Sequence, residues 1–268
     1  MKGLVSLFLM CLMTITASAQ KQAILLVQFG TSSDEGRSAA LDVMLQEVKD
    51  RYADMEVREA YTSPTIRKIL AKKGIKKDSA TDALLRLHLD GYEQVFVMPT
   101  FLLDGVEMNM LRDEVRDVAH FFKEVKVGSP VMFKLSDFHT VVDVLTEQVP
   151  DKNQLMLFVG HGNEYASTGA YTMFGQMVQE KGDFMVGTIE GWPDLEASVA
   201  KINPKKFKKV KVIPLLMAAG VHVREDIDGE WKPAIEEKGL QVEVSYHGLG
   251  ESPAFREIIF NHLAELMK

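Results

Sequence analysis

The chain has 268 residues, 46% of them apolar, with 31 Lys and Arg against 38 Asp and Glu for a net charge of −7. That apolar share marks a globular protein, and the acidic balance excludes a general nucleic-acid binder, which needs a basic footprint. With Cys11 as the single cysteine, an intrachain disulfide is excluded.

From the N-terminus, Lys2 supplies a positive start, Gly3–Ile15 is apolar and uncharged, and residues 16–19 end in an A-x-A pattern at Ala19. This is the layout of a secretory signal peptide, too short to span a bilayer comfortably, and it predicts cleavage after Ala19. The expectation is a periplasmic or otherwise exported protein with no stable membrane anchor. Removal of Cys11 then leaves no thiolate, so any metal must be held by imidazole, carboxylate or other oxygen and nitrogen donors.

The rest alternates apolar runs with amphipathic segments. Residues 23–29 read as a buried strand, Gly30-Thr31-Ser32 breaks it, and 33–52 has helical periodicity through Ala40, Met44 and Val48. Residues 55–61 alternate like a strand, 65–72 and 79–90 read as helices, 95–99 as a buried strand and 109–122 as a helix. The second half repeats the order. Strands are predicted over 155–159, 185–189, 210–214 and 242–246, and helices over 173–181, 193–202, 231–237 and 252–267. Such alternation implies βαβ units and parallel sheets.

An internal repeat sharpens this. Residues 95–99 with Gly105-Val106-Glu107 align without a gap on 210–214 with Gly220-Val221-His222, and 26–30 align on 158–162. The predicted fold is α/β, with two similar Rossmann-like lobes whose parallel sheets face a central cleft. After the signal peptide (1–19), one lobe spans 20–137 and the other 138–268. Ligands in such sheets bind beyond the carboxyl ends of the strands, where the repeat places Phe29, Glu107, His161 and His222.

Of the seven histidines, His88, His120, His139 and His262 read as surface or packing residues. His161 stands between two glycines directly after a strand, and His222 follows Ala218-Ala219-Gly220 past another. Imidazoles so placed can bind a divalent ion or take a proton. Glu190, at the end of 185–189, either caps the next helix or points into the cleft to complete a nitrogen and oxygen site. Glu107 either shuttles protons or occupies the first turn of a helix. Residues 30–33 either cap a helix or offer N–H groups to carboxylates. No phosphate-loop, dinucleotide or serine-elbow motif is present.

At these residues the sequence resembles the anaerobic cobalt chelatases that act on sirohydrochlorin, relatives of ferrochelatase. The resemblance rests on the ordered set 29–32, 60–63, 160–162, 187–191, 219–222 and 247–251. It implies a tetrapyrrole held between two lobes and a metal ion bound by His161, His222 and Glu190, with Glu107 as a further acid in the cleft. The implied reaction inserts Co²⁺, with Fe²⁺ or Ni²⁺ as alternatives, into sirohydrochlorin or a related tetrapyrrole. Arg224 and Arg37 are expected to meet substrate carboxylates, the loop Phe29-Gly30-Thr31-Ser32 to line the site, and Phe29, Tyr165 and Met217 to cover the ring. Two positions depart from the family: Val221 where it usually has Asp, and Phe101 where it has His. A competing reading is an exported haem-, tetrapyrrole- or metal-binding protein without turnover. The residues leave oligomeric state open, a homo-oligomer included.

Overall fold

A computed structural model describes residues 20–268; the predicted signal segment and Cys11 lie outside the described residues. Two four-stranded parallel sheets form the frame. The first contains β1 (Gln22–Gln28), β2 (Glu56–Tyr61), β3 (Gln94–Pro99) and β4 (Glu124–Val127) in the order β2-β1-β3-β4. The second contains β5 (Gln154–Gly162), β6 (Phe184–Glu190), β7 (Lys209–Leu215) and β8 (Gln241–Val244) in the matching order β6-β5-β7-β8.

The repeat holds at the level of register. Val27 pairs with Ala60 and Pro99, and Val159, its counterpart, pairs with Gly187 and Pro214. The expected two-lobed α/β architecture is therefore present.

Between the strands of the first lobe run α1 (Asp34–Gly36), a π-helical turn Arg37–Leu41 and α2 (Asp42–Arg51) as one continuous helix. Next come α3 (Pro64–Lys72), α4 (Ala80–Leu89) and α5 (Val106–Val118). Helix α6 (Leu135–Leu145) carries the chain between lobes, and the line between residues 137 and 138 falls inside it. The second lobe adds α7 (Gly169–Gln179), α8 (Leu195–Lys201), a π-helical segment Val223–Trp231 running into α9 (Lys232–Glu236), and α10 (Pro253–Leu266).

Two elements escaped the sequence reading. Strand β4 alternates weakly and none of its residues is fully buried, and α6 straddles the expected lobe boundary. The helix predicted to begin at residue 109 starts at Val106, and the one predicted from 231 is entered through the π-helical segment from Val223.

Strand side chains alternate between faces, and that parity joins the lobes. Ile24 and Leu26 of β1 share one core with Met156 and Phe158 of β5, filled by Phe138 and Val142 of α6, Phe174 of α7, and Phe255 and Ile259 of α10. The alternate residues Leu25 and Val27 face α4 and α5, while Leu157 and Val159 face the π-helical segment through Ile227 and Trp231. Helix α10 then ties back to the first lobe. The buried Arg256 guanidinium donates to both carboxylate oxygens of Glu47 at 2.8 and 2.7 Å, and to the Gly250 carbonyl at 2.9 Å. This pairing holds the Glu47 carboxyl below its ordinary range. No helix among the described residues is long and apolar enough to cross a membrane.

Candidate active site

His161 is the penultimate residue of β5, and its flanking glycines are required sterically. A β-carbon at Gly160 would enter the Tyr171 ring, and one at Gly162 would overlap the Glu190 carbonyl. Gly162 also has φ 75°, a left-handed conformation that disfavours L side chains. Gly162 and Glu190 are register partners, so the sheet itself sets His161 beside Glu190. His222 lies past the end of β7, in helical conformation immediately before Val223–Trp231.

The two imidazoles meet edge to face, with ring centroids 4.8 Å apart and planes at 87°. Nδ1 of His161 lies 3.1 Å from the Gly162 carbonyl and 3.9 Å from Glu190 Oε2. Nδ1 of His222 lies 2.7 Å from Asp226 Oδ2. Carbonyl and carboxylate oxygens only accept, so in each neutral ring Nδ1 carries the proton and Nε2 keeps the lone pair. Glu190 faces the Nδ1 edge of His161 and is 59% exposed, so its carboxylate has room to swing. No three His, Cys, Asp or Glu side chains among the described residues are drawn together tightly enough to hold an ion.

Glu107 occupies the first turn of α5, where the helix dipole favours an acid. It also faces the other lobe. A β-carbon at Gly105 would lie 3.7 Å from Glu107 Oε2 and 3.5 to 3.8 Å from Ser167 and Asn163. Burial, with the nearby Glu107 charge adding, pushes the Tyr171 hydroxyl up to about 12, so it stays a neutral phenol under the His161 turn.

The loop after β1 is divided in its roles. Phe29 is 45% exposed. Gly30 adopts φ 97° beneath Tyr61. Thr31 is buried, its hydroxyl accepting from Ser33 N–H at 3.2 Å and lying against Gly220 of the other lobe. The Ser32 carbonyl accepts from Lys73, and Ser33 caps α1 by accepting from Gly36 N–H. Capping and lobe contact thus use the Ser33 and Thr31 side chains of this loop.

Arg224 is exposed and reaches Glu35 of the other lobe at 3.4 Å. Arg37, expected to meet substrate carboxylates, is largely buried and paired with Asp34 at 2.9 Å and Asp42 at 3.5 Å. Met217, expected to cover the ring, is half-buried and packs against the core. Exposed apolar groups past the strand ends include Phe29, Tyr165, Trp192, Val221 and Tyr246, following β1, β5, β6, β7 and β8. Trp192, Tyr246 and Asp226 were missed in the sequence. The first two carried the signal of an aromatic just beyond a strand, and Asp226 that of a carboxylate four residues after His222.

Against this geometry, the family model described as Cobalt chelatase (CbiK) matches residues 22–268. The chain belongs to the cobalt chelatase family. It is 27% identical over 255 residues to the sirohydrochlorin cobaltochelatase of Salmonella typhimurium, covering 92% of this chain and 97% of that protein. Identity is also 27%, over 253 residues, to the sirohydrochlorin cobaltochelatase CbiKC of Nitratidesulfovibrio vulgaris, covering 91% and 89%. Among solved structures it is similar to the sirohydrochlorin chelatase SirB of Bacillus subtilis in complex with cobalt, with TM-score 0.67, 14% identity and coverage of 92% and 95%. In this cobalt chelatase, Phe101 is buried among the apolar residues between the first sheet and α4 and α5, and Asp226 provides a carboxylate to His222 that Val221 cannot.

Proposed function

We propose that the chain inserts Co²⁺ into sirohydrochlorin, with His161, His222 and Glu190 handling the metal and the departing protons in the cleft between the lobes. The observation that carries this reading is the edge-to-face pair His161 and His222, brought to 4.8 Å from positions 61 residues apart in sequence. Insertion exchanges a divalent ion for two pyrrole N–H protons, so the site needs metal donors and a proton acceptor on one side of a flat ring. The Nε2 lone pairs serve as donors, and the mobile Glu190 carboxylate serves as a third donor or as base. The exposed aromatics beyond the strand ends suit the faces of a macrocycle, and Arg224 suits one of its carboxylates. The donor set accepts Fe²⁺ and Ni²⁺ as well, since imidazole and carboxylate do not discriminate among these ions by affinity alone.

The test is anaerobic mixing of the purified protein with sirohydrochlorin and Co²⁺, following the absorbance change of insertion. His161→Ala and His222→Ala are each expected to lower kcat by about 10²- to 10⁴-fold. Tight tetrapyrrole binding with no insertion above the uncatalysed rate would overturn the enzyme reading and leave a carrier.

We also propose that this chelatase acts outside the cytoplasm, on the strength of residues 1–19. Fractionation of cells producing the whole chain, with N-terminal mass determination, is expected to give a periplasmic protein beginning at Gln20. A cytoplasmic protein retaining Met1 would refute it.

A further inference from the structure

We infer that Asp226 is a positioning residue: it holds His222 with Nδ1 protonated and Nε2 presented to the metal, and so sets how tightly the cleft binds Co²⁺. The inference rests on His222 being a metal donor, as proposed above.

The two cleft imidazoles are held in different ways. His161 is steered by a neutral backbone carbonyl at 3.1 Å, whereas His222 is steered by a carboxylate at 2.7 Å. A carboxylate behind an imidazole locks the tautomer and ring orientation and makes the opposite nitrogen a better donor. Asp226 is well placed for this. It lies in the π-helical segment Val223–Trp231 and its side chain is 27% exposed. Arg224, two residues before it, pairs with Glu35 at 3.4 Å, while the Asp226 carboxylate meets His222. π-Helical segments are found preferentially at functional sites, and this one begins at the residue after a cleft histidine.

The alternative is an ordinary i,i+4 surface pair that lends the helix a few tenths of a kcal/mol and does nothing to the metal. The two differ in what they move. Titration of the full protein with Co²⁺ alone, read from the visible absorption of the bound ion, reports affinity without tetrapyrrole. Asp226→Ala is expected to weaken Co²⁺ binding about 10- to 100-fold and to raise KM for Co²⁺ correspondingly. KM for the tetrapyrrole should stay within about twofold, since the group acts through His222 alone. Asp226→Asn keeps an accepting oxygen without the charge, so it should recover part of the affinity and fold as the parent does.

His222→Ala in the same titration separates the two claims. If His222→Ala weakens Co²⁺ binding and both Asp226 variants bind it as the parent does, the positioning role is overturned and the metal-site reading stands. If His222→Ala itself leaves Co²⁺ binding unchanged, the reading of the site fails and the positioning role falls with it.

Discussion

The two lobes share strand order and register, yet equivalent positions carry different chemistry. Where the second lobe has His161, Glu190 and His222, the first has Phe29, Ser63 and Glu107. Both turns after the central strand use a left-handed glycine, Gly30 at φ 97° and Gly162 at φ 75°. The backbone that displays a metal donor in one lobe thus displays an exposed ring in the other. Ser63 caps α3 by accepting from Ile66 N–H, while Glu190 at the end of β6 is exposed and lies 3.9 Å from His161 Nδ1. The frame does not make a site; the side chains at strand ends do. An asymmetric cleft also suits the reaction, because a flat ring needs donors at one face and an apolar wall at the other.

If the first lobe supports structure and the second chemistry, substitutions should divide along that line. The largest effect on stability is expected at the tie between α10 and α2. Glu47→Ala strands a buried guanidinium and should cost about 2–4 kcal/mol in denaturant unfolding, discounted from a fully buried pair because Glu47 is partly exposed. Its pH dependence has a definite sign. Arg256 lowers the Glu47 pKa in the folded state, so the contribution is full above the ordinary glutamate pKa and is lost as pH falls through the depressed folded one. A parent and variant with equal stability at pH 7 would break the argument.

Effects at the equivalent pair should be smaller and opposite in kind. Glu190→Gln keeps size but removes a charged donor, and should lower insertion about 10- to 100-fold with little change in stability. Ser63→Ala removes a cap, and should cost about 1 kcal/mol with insertion unchanged. Loss of insertion in Ser63→Ala, at full folding, would show that the first lobe shares the chemistry.

Much of this was legible without coordinates. Strands β1, β3 and β5 announce themselves because strands buried on both faces are continuous apolar runs, and β7 through the alternation of Val210 and Val212 with Lys209 and Lys211. The repeat was visible because a strand followed by glycine at fixed spacing records the same turn twice. Strand β4 was not, since a four-residue edge strand with no fully buried residue has no such run. The π-helical entry to α9 was hidden as well, because residues 223–230 are mostly charged and carry few apolar anchors. Arg37 and Met217 looked available in sequence; in the fold one is paired with two aspartates and the other is half-buried against the core, contacts that no local pattern announces.

By itself the sequence determined the strand–helix alternation, the doubled lobe, and which imidazoles stand at strand ends, because periodicity and turn chemistry are local properties of the chain. Only the tertiary structure decided that His161 and His222 lie edge to face, that Glu190 meets the Nδ1 side of His161, and that Asp226 stands behind His222. Those distances are set by sheet register and by the packing of α6, α7 and α10 between the lobes. They depend on contacts between residues far apart in sequence, which no short window of residues encodes.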